Sequence, residues 1–200
     1  MAETPSTMLE LGTALPAFRL PDVEGKMVSD RDFQEARALL VAFICPHCPY
    51  VKHLRDEFVK FATDYRPRGL AIIAVNSNDP LAFPDDDIVG MRKEAAGAGY
   101  GFPYLQDDTQ ETAKRFRAAC TPDFFLFDRN HRLVYRGQFD DSRPKKPTSV
   151  TGADMRAAAD AVLAGMSVPA NQRPSVGCNI KWKPGNAPDY FAAEAGTARA

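Results

Sequence analysis

The chain has 200 residues, 44% of them hydrophobic and 26% charged, and its 25 basic and 26 acidic side chains leave a formal net charge of -1. A chain of this mass hides about 70% of its unfolded surface on folding, enough for a core without covalent staples. The disordered, collagenous and disulfide-scaffold classes are therefore excluded, and a charge this close to zero offers no field for nucleic acid or anionic lipid, so neither is expected as a partner.

Residues 1–20 carry Glu3, Pro5, Glu10 and Pro16 and lack a basic head before an apolar stretch, so they do not read as a secretory signal. Residues 1–16 read as a loose arm. Residues 17–36 alternate short apolar pieces with turns at Pro21-Asp22 and Glu24-Gly25, which predicts a small hairpin and one helical turn. Residues 38–45 (ALLVAFIC) are the longest apolar run, far too short to span a bilayer as a helix. They read as a central strand covered on both faces. No membrane partner is expected, and the expected location is the cytoplasm.

Beyond that strand, Tyr50, Leu54, Phe58, Phe61 and Tyr65 recur every three or four residues and mark one helix face. Residues 70–75 (LAIIAV) predict a second buried strand, ending in the polar turn Asn76-Ser77-Asn78-Asp79-Pro80. Residues 85–98 predict a helix with Asp85, Asp86 and Asp87 at its positive end. A short strand at Tyr104-Leu105 and a helix over 109–116, capped by Thr109, follow. Residues 122–127 and 133–136 flank the polar turn 128–131 and predict an antiparallel hairpin. Residues 151–165 predict the last helix. From Pro169 onward proline, glycine, asparagine and lysine dominate, yet Cys178, Ile180 and Trp182 are poor residues to leave in water. This irregular tail is expected to fold back over the domain. The expected organisation is an arm (1–16), a domain (17–165) and a tail (166–200), built as α/β layers around a mixed central sheet with helices on both faces.

Four cysteines, Cys45, Cys48, Cys120 and Cys178, are too few for a secreted disulfide framework. In a reducing compartment a close pair is catalytic or metal-binding. Cys45-Pro46-His47-Cys48 falls where a buried strand turns into a helix, where unpaired N–H groups and the helix dipole favour negative charge. Cys45 is therefore expected to ionise readily, helped by His47 when cationic. Pro46 suits a first helical turn because it has no N–H to leave unpaired. Cys48, one turn along, can attack a mixed disulfide on Cys45 and release the product, as thiol–disulfide exchange requires. Half a zinc site is the alternative, but Cys120 and Cys178 stand alone rather than as a second Cys-x-x-Cys. Haem attachment wants His where Pro49 stands. His53 reads as a surface residue, and no metal site is assigned.

These residues, with Cys45-Pro46-His47-Cys48-Pro49-Tyr50-Val51-Lys52-His53, Asn76-Ser77-Asn78-Asp79-Pro80, Thr121-Pro122-Asp123-Phe124-Phe125-Leu126-Phe127-Asp128, Asp140-Asp141-Ser142-Arg143-Pro144 and Gly177-Cys178-Asn179-Ile180-Lys181-Trp182-Lys183, resemble the thioredoxin superfamily. The closer resemblance is to the thioredoxin-like redoxins grouped with alkyl hydroperoxide reductase and thiol-specific antioxidant, over residues 15–188. It implies a thioredoxin-like fold and a thiol–disulfide oxidoreductase without a cofactor. The implied partners are a protein or small-molecule disulfide and a separate reductant. Cys45 matches the exposed nucleophile, Cys48 the buried resolving thiol, and Pro122 the cis-proline beside the dithiol. Thr121 would offer backbone groups to an extended substrate.

The sequence departs from that pattern in places. Thioredoxins carry Trp just before the first cysteine and a buried Asp six residues before it. Here Ile44 and Leu39 stand there, so the general base is unassigned. The Pro-His dipeptide resembles that of the strongly oxidising bacterial periplasmic disulfide oxidase. Peroxiredoxins place Thr three and Pro seven residues before the peroxide-reactive Cys. Counted from Cys48 those positions are Cys45 and Val41. A dithiol reductase is favoured over a dedicated peroxidase, with slow peroxide reduction left open. A metal-handling protein would use Cys45, Cys48 and His47 or His53. Cys120 reads first as a small buried residue. Cys120 and Cys178 are also candidate auxiliary thiols, expected to pair or to exchange with Cys45 and Cys48.

Overall fold

A computed structural model describes residues 3–144 and 146–191. In chain order the elements are β1 (Glu3–Pro5), β2 (Arg19–Pro21), β3 (Met27–Ser29), β4 (Ala38–Phe43), α1 (Pro49–Tyr65), β5 (Leu70–Asn76), α2 (Ile88–Ala98), β6 (Tyr104–Gln106), α3 (Glu111–Phe116), β7 (Cys120–Thr121), β8 (Asp123–Asp128), β9 (Leu133–Gly137), α4 (Ala153–Leu163) and β10 (Val176–Asn179). Five strands form the central sheet in the order β6-β5-β4-β8-β9. β4 pairs parallel with β5 and antiparallel with β8, so the sheet is mixed.

The apolar run of β4 reads as a doubly covered strand because alternate side chains enter different cores. Ala38, Leu40 and Ala42 join residues of α1, α2 and α4 on one face. Leu39, Val41 and Phe43 join α3 and the β2–β3 hairpin on the other. β8 divides likewise, with Phe124 and Leu126 on the first side and Phe125 and Phe127 on the second. The expected stripe on α1 is buried at Leu54, Phe58, Phe61 and Tyr65, with Tyr50 only partly covered. Phe58 and Phe61 meet Phe139 edge-on at 5.9 and 5.8 Å. Burying a phenylalanine this fully contributes about 2–3 kcal/mol. Among the described residues no helix is long and apolar enough to cross a membrane.

Two helix starts differ from expectation. α2 begins at Ile88, and only Asp87 caps it, accepting from Gly90 N at 2.7 Å. Residues Pro84–Asp86 form a 3-10 turn that points Asp86 inward instead. α3 begins at Glu111, and its free N–H groups are taken by Asp107, which accepts from Ala113 N at 2.9 Å. Thr109, the expected cap, accepts from Glu111 N at 3.4 Å, while Gln110 stands at the N-cap position.

The arm and the tail are more regular than their composition suggests. β1 pairs with β10 (Glu3↔Cys178, Thr4↔Gly177, Pro5↔Val176), so the start of the arm is not loose. β10 lies between β1 and β7 in a separate three-stranded sheet. The tail does fold back, burying Ile180 in the second core with Trp182 partly covered beside it. Its last part, 192–200, lies outside the described residues. Gly177 permits the close approach of β10 to β7, since a Cβ there would sit 2.0 Å from the Thr121 carbonyl oxygen.

Candidate active site

β4 ends at Phe43, and Ile44 continues toward β5 by donating its N–H to Val75 O at 3.0 Å. Cys45 therefore leaves the sheet beside the central strand. Pro46 and His47 form a turn, Cys48 is the N-cap of α1, and Pro49 takes the first helical position expected for Pro46. The strand-to-helix corner is as expected, with the helix starting three residues later.

Thr121 touches both sulfurs. Its hydroxyl is 3.3 Å from Cys45 Sγ, and its carbonyl accepts from the Cys48 thiol at 3.1 Å. Cys45, Cys48 and Cys178 lie in the same buried cluster. The Thr121–Pro122 peptide bond is cis, as the resemblance implies. Segments 45–53, 121–128 and 177–183 thus meet at one sulfur cluster.

Two expectations about Cys45 are corrected. It is not accessible: Cys45 is 1% exposed and Cys48 0%. Its outer side is screened by His47, which stacks on Phe83 with centroids 5.2 Å apart. Nor is Cys45 the acidified sulfur. Burial, a hydrogen bond to Cys48 and the negative charge of Asp86 push its thiol well above the usual range. Hydrogen bonds from Cys178 and Cys45, opposed by burial, hold Cys48 far below it. The charge settles on Cys48 because that residue, not Cys45, occupies the helix N-cap and collects the donors. As a thiol Cys48 donates to Thr121 O; as a thiolate it accepts from its two sulfur neighbours.

Asp86 is the residue that sequence reasoning missed. Its side chain is fully buried, with Oδ2 2.6 Å from His47 Nδ1 and 2.7 Å from Asn78 Nδ2. Three consecutive aspartates signal a helix start equally well, and nothing in the sequence singles out the middle one. His47 was expected to support the thiolate, but its Nδ1 is 3.8 Å from Cys45 Sγ and far closer to Asp86. One N–H cannot serve both partners well. His47 Nε2 and Asp86 Oδ1 are buried without a hydrogen-bond partner among the described residues.

Cys45 Sγ, His47 Nδ1 and an Asp86 carboxylate oxygen also lie within 4.8 Å of one another. Thiolate, imidazole and carboxylate form a donor set suited to zinc. His53, the other ligand of the metal alternative, is occupied elsewhere, with Nε2 3.1 Å from Ser142 Oγ.

Cys178 and Cys120 part company. Cys178 faces Thr121 across the β10–β7 ladder, while Cys120 faces Asn179. Successive side chains on a strand point to opposite sides, so Cys178 turns to the dithiol. Cys120 turns away and donates to Pro122 O at 3.5 Å. This register opposes the expected Cys120–Cys178 pairing. β10 lies along one edge of β7, beside Thr121. A groove of about 710 Å³ lies at the far end of β4, beside Arg37 and Leu163, and holds none of the expected site residues.

Residues 11–136 match the AhpC/TSA family. No curated protein matches the chain. Among solved structures it is similar to a hypothetical protein from Sinorhizobium meliloti, with 53% identity over 91% of this chain and 100% of that one and a TM-score of 0.90. It is similar to an uncharacterized conserved protein from Geobacillus kaustophilus at 50% identity over 92% and 98% of the two chains, with a TM-score of 0.90. The thioredoxin domain of a thiol-disulfide oxidoreductase from Bacteroides vulgatus shares the fold at 20% identity and a TM-score of 0.56, over 65% of this chain and 89% of that one.

Proposed function

Because the chain belongs to the AhpC/TSA family of thioredoxin-fold redoxins, we propose that it is a dithiol oxidoreductase in which Cys45 and Cys48 reduce small disulfides. The supporting observation is the placement of both sulfurs on Thr121, at 3.3 and 3.1 Å, at the head of α1.

The cycle starts with Cys45 as thiol and Cys48 as thiolate. Cys45 attacks one sulfur of the disulfide R–S–S–R′ and gives up its proton as it does so. The Cys45–S–S–R bond forms, and R′S⁻ leaves, taking up the proton that Cys45 released. The Cys48 thiolate then attacks Cys45 Sγ, the intramolecular disulfide forms and RS⁻ leaves. The protein has lost two electrons, which an external thiol reductant returns. A sulfur with a high pKa is the stronger nucleophile once deprotonated, so burial beside Asp86 slows ionisation of Cys45 but strengthens its attack. Asp86 acts through His47 and through its charge, as a positioning residue.

The enclosed sulfurs, with Cys45 1% and Cys48 0% exposed, favour a small substrate over an extended polypeptide. The test is dithiothreitol-coupled reduction of glutathione disulfide, with insulin as the polypeptide comparison. The protein turns over the small disulfide faster than insulin, and Cys45→Ser falls to the dithiothreitol background. Absence of turnover on both substrates in the unmutated protein overturns the proposal.

Family membership and enclosure also favour a second substrate, a hydroperoxide. Cys45 would attack the distal oxygen, giving a sulfenic acid and releasing water or alcohol, and Cys48 would displace the second water to close the disulfide. Peroxide consumption exceeding disulfide turnover selects this reading. Stoichiometric zinc or copper in protein purified without chelator selects the metal-handling one instead.

A further inference from the structure

β10 is held from both sides. Outside it lies β1, and the Tyr50 hydroxyl anchors β1 to α1 by donating to Glu3. Inside it lies β7, with Cys178 opposite Thr121. Flanking bonds fix its ends: Ser6 N donates to Ser175 O at 2.8 Å, Ser175 Oγ to Gly137 O at 2.6 Å and Ile180 N to Ala119 O at 3.0 Å. A segment pinned this thoroughly does not wander. Its one chemically reactive side chain, Cys178, is 2% exposed, faces Thr121, whose carbonyl accepts from the Cys48 thiol at 3.1 Å, and shares one buried cluster with Cys45 and Cys48.

Gly177 makes that proximity possible. Any other residue would place a Cβ 2.0 Å from Thr121 O and 3.2 Å from Pro122 Cδ. The tail therefore lies against the same backbone carbonyl that receives the Cys48 thiol. An apolar filler at 178 would occupy the space equally well, but it would give Cys48 no donor and no exchange partner.

We propose that Cys178 is a third redox thiol, which takes the place of Cys45 as the disulfide partner of Cys48. This rests on the dithiol reading. Once Cys45–S–S–Cys48 has formed, the Cys178 sulfur attacks Cys48 Sγ. The Cys48–Cys178 bond forms and the Cys45–Cys48 bond breaks. Cys45 leaves as a thiolate and takes up the proton that Cys178 released. No electrons enter or leave, so the step moves the disulfide inward and returns Cys45 as a free sulfur. Bond formation requires the two sulfurs to close to about 2.05 Å, and both side chains already lie against Thr121 in the same cluster. Cys120 has no part in it, since it lies on the opposite side of the ladder.

The experiment uses the full chain with Cys45→Ser and Cys120→Ser together, leaving Cys48 and Cys178. The protein is oxidised with diamide, which accepts the two electrons and two protons, and is then mapped by non-reducing proteolysis and mass spectrometry. The expected result is loss of both thiols and a linked peptide pair containing Cys48 and Cys178 in a monomer. Two surviving thiols, or loss only through dimers, overturn the proposal. The unmutated protein is mapped in parallel, so a folding failure of the variant does not decide the matter. There a Cys48–Cys178 link is expected beside Cys45–Cys48, collapsing to Cys45–Cys48 alone in Cys178→Ser. A Cys45–Cys48 link as the sole product in the unmutated protein overturns the third-thiol role while leaving the dithiol reading intact. Absence of any link to Cys45, with no turnover, is the failure of the dithiol reading itself.

Discussion

Replacing Gly177 by alanine isolates the contribution of the tail strand, because the change adds one methyl group at the point of closest approach. That Cβ would lie 2.0 Å from Thr121 O and 2.7 Å from Thr121 C, both backbone atoms that cannot swing aside. Carbon and carbonyl oxygen approach to about 3.3 Å at best, so β10 must retreat by roughly 1.3 Å. The retreat loosens the short β10–β7 ladder, where the paired residues are Cys178↔Thr121 and Asn179↔Cys120. Hydrogen bonds contribute about 1 kcal/mol each, and forcing a methyl into a filled site costs about 1–3 kcal/mol. The expected loss is about 2–4 kcal/mol, or roughly 5–15 °C in melting temperature for a chain of this size. Local opening at Cys48 and Cys178 should become about thirty-fold or more easier. Circular dichroism melting and the rate of iodoacetamide labelling at those two residues read the two effects. A melting temperature within about 1 °C of the unmutated value, with labelling unchanged, would refute the account of how the tail is seated.

Two further substitutions probe the electrostatics. Asp86→Asn removes one of the influences, after burial and the Cys48 hydrogen bond, that push the Cys45 thiol up. Attack requires Cys45 to lose its proton, so the acid limb of the pH–rate profile should move to lower pH; an unmoved or raised midpoint would contradict the assignment. Asp140 is pushed up by burial, but hydrogen bonds from the Ser142 hydroxyl and from the Gly152, Thr151 and Ser142 amides outweigh this and hold it below the usual carboxylate range. Its folded pKa is thus below its unfolded value of about 3.9, so its stabilisation is present above that value and lost as pH falls through the folded pKa. Asp140→Asn should cost about 2–4 kcal/mol at neutral pH, and urea titrations should show the difference shrinking below about pH 4. A pH-independent difference would mean that the charge is not what matters.

The central sheet was legible because β4, β5 and β8 are apolar runs long enough to need two covered faces, and α1 was legible from its three-and-four spacing. The tail strand was not. Val176, Gly177, Cys178 and Asn179 show neither alternation nor β-branched enrichment, and their strand exists only because β1 and β7 supply partners from distant segments. The dithiol was plain from Cys45-Pro46-His47-Cys48, but its environment was hidden for the same reason. Asp86, Phe83 and Cys178 reach the sulfurs through the fold and not through proximity in sequence. Local reasoning placed the helix dipole on Cys45, correctly in kind but three residues too early, since Cys48 is the N-cap.

The division of labour between the two sulfurs is tested most directly by removing the resolver. Cys48→Ser protein, exposed to glutathione disulfide and mapped by mass spectrometry, should accumulate one glutathione per chain on Cys45, cleared by dithiothreitol. An unmodified Cys45, with the adduct on Cys178 or nowhere, would contradict the assignment of Cys45 as the attacking thiol.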